Sequence, residues 1–64
     1  MKIFLERYRI EKDLSLSELS RMSGVAVSHI HNIEAGNKAP TGPIMCKLSK
    51  ALRVPCWDLF VCED

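Results

Sequence analysis

An all-α fold, a compact five-helix bundle, is predicted by three features of the sequence. Its 64 residues suffice for one domain with one small core. Apolar residues form 47% of the chain without a low-complexity interruption, which marks a folding unit rather than a disordered tail. They also recur at three- and four-residue spacing in short runs, each bounded by residues that start or stop helices.

Met1, Leu5, Tyr8 and Lys12 follow helical spacing and predict a first helix over residues 2–12. Asp13 and Leu14 then lead to a start signal. Ser15 is placed to cap a second helix, and Glu18, three residues on, to complete a capping box. That helix is expected over 16–23 with Leu19 in the core, stopped by Gly24, whose missing Cβ permits the turn. A third helix is expected over 27–34. Ile30 and Ile33 share its inner face with Ala26 behind them, which turns Val27, Ser28, His31 and Asn32 outward. The outer face is small and polar, the shape that enters a groove closely, although an ordinary solvated face of a helical adaptor is the alternative. Two short helices joined by a tight turn over 16–34 outline a helix-turn-helix.

Gly36 is the expected left-handed residue ending the third helix. Thr41 is placed to cap a fourth, with Pro43 in its first turn, where no N–H is needed. Ile44, Met45, Leu48 and Leu52 give that helix a buried face, and Met45 and Cys46 read as core filling. Pro55 restarts the chain. Trp57, Leu59, Phe60 and Val61 then crowd more apolar surface into a final turn or two than so short a segment hides.

Cys46, Cys56 and Cys62 form no CxxC pair and no metal spacing with His29 or His31, so they read as buried small hydrophobes in a reducing compartment, with zinc or a reactive thiol as the alternative; no metal and no cofactor are expected. Charges break up the apolar positions of MKIFLERYR before a secretory or membrane-spanning run develops, so a cytoplasmic location is expected. An enzyme is not expected. The chain is short for an enclosed cleft, and His29 and His31, two apart, diverge around a helix. The formal charge of +1 is low for a nucleic-acid ligand, so affinity must depend on where charges sit or on a second copy.

The ordered set Arg9, Leu14, Ser15, Glu18, Leu19, Gly24, Val25, Ile30, Ile33, Glu34, Gly36, Pro40, Ala51, Leu52, Val54, Leu59 and Phe60 resembles the Cro and phage-repressor type of helix-turn-helix family, the XRE-like regulators, over roughly residues 1 to 60. The pieces YRIEKDLSLSELS and SGVAVSHIHNIEAG also look like the DNA-binding part of bacterial developmental regulators. The resemblance implies a lambda-repressor-like bundle whose third helix lies in the major groove of double-stranded DNA. It implies base contacts from Val27, Ser28, His31 and Asn32, and a structural ion pair between Arg9 and Glu34. Ser15 and Leu16, at the start of the second helix, and Asn37 and Lys38, in the following loop, are the candidates for DNA backbone contacts.

Departures from the family pattern are equally specific. Leu16 stands where many relatives carry a phosphate-clamping Gln, Ala35 replaces a frequent Asn, and Ala26 replaces the Ser or Thr that caps the third helix. A single subunit is therefore expected to bind weakly, and a homodimer with two recognition helices one DNA turn apart is expected to compensate. Trp57, Phe60 and Val61 are the candidate dimer surface, unless Trp57 merely closes the core. The functional expectation is a sequence-specific transcriptional regulator, most simply a repressor, under the control of a protein partner, expression level or operator competition. The alternative is a protein-interaction module such as an antitoxin or an antirepressor-like partner.

Overall fold

The computed structural model describes residues 1–62. The elements run β1 (Lys2–Ile3), α1 (Leu5–Glu11), α2 (Leu16–Ser23), α3 (Val27–Glu34), α4 (Gly42–Leu52), α5 (Cys56–Leu59) and β2 (Phe60–Val61). Each helix supplies one or two fully buried aliphatic side chains: Leu5, Leu19, Ile30 and Ile33, Leu48 and Leu52, then Leu59. Val25 and Phe60 complete this core, and α2 packs against both α3 and α4. Removing such apolar surface from water is the main driving force holding the short helices together.

The ends of the chain correct the all-α expectation. β1 and β2 pair antiparallel, with Lys2 opposite Val61 and Ile3 opposite Phe60, and the Phe4 N–H donates to the Leu59 carbonyl at 2.8 Å. The first helix therefore starts at Leu5, with Met1 outside it. Pairing brings Ile3 against the core beside buried Phe60, a long-range gain that the spacing of apolar residues within 1–12 does not register.

Burial of the cysteines is also overturned, since Cys46, Cys56 and Cys62 are all exposed. On α4 the inner face is taken by Leu48 and Leu52, flanked by Ile44 and Met45; Cys46 lies two residues from both Ile44 and Leu48 and so points away.

Three helices end in the same hydrogen-bonded loop, each with a left-handed residue. Asp13 (φ 61°), Gly36 (φ 80°) and Arg53 (φ 57°) occupy that position after α1, α3 and α4. In each, the next N–H reaches back five residues: Leu14 to the Arg9 carbonyl, Asn37 to Asn32 and Val54 to Ser49, at 2.9–3.1 Å. Leu14 and Val54 then pack on the core, which turns the chain inward after α1 and α4.

Candidate nucleic-acid interface

The turn between α2 and α3 is built from local hydrogen bonds. The Glu18 N–H donates to the Ser15 hydroxyl and the Ser15 N–H to the Glu18 carboxylate, both at 3.0 Å, a complete capping box. The Ser15 backbone N–H, then its hydroxyl and, more weakly, Arg21 hold the Glu18 carboxyl below its ordinary range, against a small opposing effect of burial. Gly24, at φ 77°, donates to the Ser20 carbonyl at 2.8 Å and stops α2. The Ser23 hydroxyl donates to the Leu19 carbonyl at 2.7 Å and accepts from the Val25 N–H at 3.2 Å, so it braces both sides of the turn. Val25, nearly fully buried, anchors the turn to the core.

Helix α3 starts without a side-chain cap at Ala26, whose backbone is extended. Its first-turn N–H groups therefore point outward with no acceptor among the described residues. Ile30 and Ile33 are fully buried, which fixes the rotation of the helix. Val27, Ser28 and His31 are exposed, and Asn32 is half-buried beside them; His29 sits half-buried at the edge of the core. Among the described residues, the Ser28 hydroxyl, the His31 ring and the Asn32 amide form no hydrogen bond with the protein, so their donors and acceptors are free for a ligand.

Arg9 fixes this helix from behind. Its guanidinium donates to both oxygens of Glu34, at 2.8 and 3.1 Å, and to the Leu14 carbonyl at 2.8 Å. The pair is largely enclosed, with 13% of the Arg9 and 4% of the Glu34 side chain exposed. The hydrogen bond with Glu34 raises the Arg9 pKa against the opposing effect of burial. One side chain thus ties α1, the loop after it and the last turn of α3, while remaining away from the exposed face.

The remaining predicted positions divide. Asn37 and Lys38 are exposed in the loop between α3 and α4. Leu16 is half-buried against the core, so only its backbone is placed to meet a ligand. The capping box engages the N–H groups of Ser15 and Glu18; those of Leu16 and Ser17 are the first-turn donors left without a protein acceptor among the described residues. Trp57 is 73% exposed and does not close the core, and Val61 is partly exposed on β2. Phe60 is 6% exposed, which removes it from the candidate surface: strand alternation turns it inward while Val61 turns outward. Met1, also exposed, joins this end of the molecule through the pairing of Lys2 with Val61, which apolar periodicity gave no means to find.

Among the described residues, no helix is long and apolar enough to cross a membrane. A comparison with curated proteins finds no match. Residues 5–56 match the protein family described as Helix-turn-helix, a span from the first residue of α1 to the first of α5 that takes in α2, its turn and α3. The chain belongs to the helix-turn-helix family, a DNA-binding class.

Proposed function

We propose that this chain is a sequence-specific double-stranded DNA-binding transcriptional regulator of the Cro and phage-repressor type, acting in the cytoplasm as a dimeric repressor on an inverted-repeat operator. The observation that carries this reading is the outer face of α3: exposed at Val27, Ser28 and His31 and half-buried at Asn32, without Lys, Arg, Asp or Glu, its side chains free of hydrogen bonds to the protein, and held in one orientation by Arg9 and Glu34. Asn32 offers a donor and an acceptor side by side, the pattern that adenine presents in the major groove. Val27 packs on a thymine methyl, and Ser28 and His31 hydrogen-bond to bases or phosphate. The Leu16 N–H, Asn37 and Lys38 meet the DNA backbone, with Ser15 holding the start of α2 in position. Exposed Trp57 and Val61, with Met1, support a dimer surface at the end of the molecule where β1 meets β2. Repression follows from occupying DNA that polymerase needs.

Selection from a random duplex library tests the reading. Enrichment of an inverted repeat with half-sites about 10 base pairs apart, centre to centre, is expected. A folded protein that binds no duplex at low salt would instead indicate a protein-interaction module.

A further inference from the structure

The sequence-independent part of DNA affinity comes from cations that displace counterions at phosphates. The helix-turn-helix is a poor source of them. Arg21 lies one turn from Glu18 on α2, and Glu34 is neutralised by Arg9. The first 34 residues hold Lys2, Arg7, Arg9, Lys12 and Arg21 against Glu6, Glu11, Asp13, Glu18 and Glu34, with no excess of either sign. Between Glu34 and Asp58, by contrast, Lys38, Lys47, Lys50 and Arg53 occur with no acidic residue at all.

Lys47, Lys50 and Arg53 recur every three residues along α4 and its cap, and all are exposed. Lys47 and Lys50 are one turn apart on the outer side of α4, and Arg53 follows at its left-handed cap. None takes part in an ion pair among the described residues. They extend along about 9 Å of helix axis, the rise of roughly three base pairs. The loop carrying Lys38 joins the end of α3 to the start of α4, so α4 directly follows the proposed reading helix in the chain. No large apolar side chain is exposed on α4. A protein partner needs apolar anchors at the centre of its interface; a phosphate backbone does not.

We propose that the outer face of α4, formed by Lys47, Lys50 and Arg53, is a phosphate-binding track that supplies most of the sequence-independent affinity for duplex DNA. This rests on the DNA-binding reading above and adds to it a surface outside the helix-turn-helix. The test compares the wild type with two triple variants of equal charge, Lys47→Gln/Lys50→Gln/Arg53→Gln and Lys2→Gln/Arg7→Gln/Lys12→Gln. Binding to a mixed-sequence duplex of about 30 base pairs is followed by fluorescence anisotropy between roughly 50 and 200 mM salt. Far-UV circular dichroism checks the fold, and Lys47→Gln/Lys50→Gln replaces the first triple if Arg53→Gln disturbs the end of α4. The α4 triple should flatten the slope of log K against log salt by about 2 to 3, the α4 double by nearly 2 and the control by less than 1. Equal flattening by both triples, or an unchanged slope in the α4 variant, overturns the track while leaving DNA binding intact. An α4 variant that binds duplex normally but loses binding to an oligoglutamate peptide also overturns it, in favour of an acidic protein partner. A wild type that binds no duplex at any salt overturns both.

Discussion

Arg9 and Glu34 meet with their polar atoms paired and little solvent around them, so the cost of breaking the pair is mainly that of an unpartnered enclosed charge. Glu34→Ala should cost about 1–3 kcal/mol in urea unfolding, whereas Arg9→Met/Glu34→Leu should recover much of that loss. A double variant no more stable than the single would contradict this division. Glu18 gives a pH signature of opposite character, because it is exposed and its carboxylate is stabilised mainly through the capping box. A carboxyl whose pKa is lower folded than unfolded adds stability above its unfolded value, and that stability disappears as pH falls through the folded one. The advantage of the wild type over Glu18→Gln should therefore be constant near neutrality and shrink below about pH 4.5. Thermal unfolding at a series of pH values checks it; an advantage that grows on acidification would show that the carboxylate is not what stabilises the cap.

At α3 the missing cap follows directly from Ala26, whose extended backbone already suits a capping residue. Ala26→Ser should accept a hydrogen bond from a first-turn N–H and raise stability by about 1 kcal/mol, read from the denaturation midpoint at unchanged slope. No gain would mean that those N–H groups are already satisfied in solution. The elements legible from sequence were those with strong local signals. Ser15 and Glu18 marked the start of α2, Gly24 and Gly36 its end and that of α3, and Ile30 with Ile33 the rotation of the reading helix. What local spacing could not show was decided by distant contacts or by unusual residues at familiar positions. Lys2 and Ile3 leave the helical pattern because Val61 and Phe60 offer strand partners. Asp13 and Arg53 adopt left-handed backbones where glycine is the usual signal. Cys46 reads as core by residue type, yet α4 has already committed its inner face to leucines.

Different surfaces of the molecule carry different chemistry, with exposed polar groups on α3, unpaired cations on α4, and exposed Met1 and Val61 flanking the pairing of β1 with β2. Trp57 is exposed enough for Trp57→Lys to leave the fold intact, so the variant isolates assembly from folding. Sedimentation should show dimeric wild type and monomeric Trp57→Lys, with cooperativity on an inverted-repeat duplex lost together with the dimer. A dimer that persists in the variant would place the interface elsewhere. Base reading by the exposed face of α3 is tested most directly by Asn32→Ala, compared on the duplex selected by the wild type and on random-sequence duplex at fixed salt. Loss of about 1–3 kcal/mol on the selected site with much less on random DNA is expected, because a base contact discriminates and a phosphate contact does not. Equal loss on both, in a variant that remains folded, would contradict it.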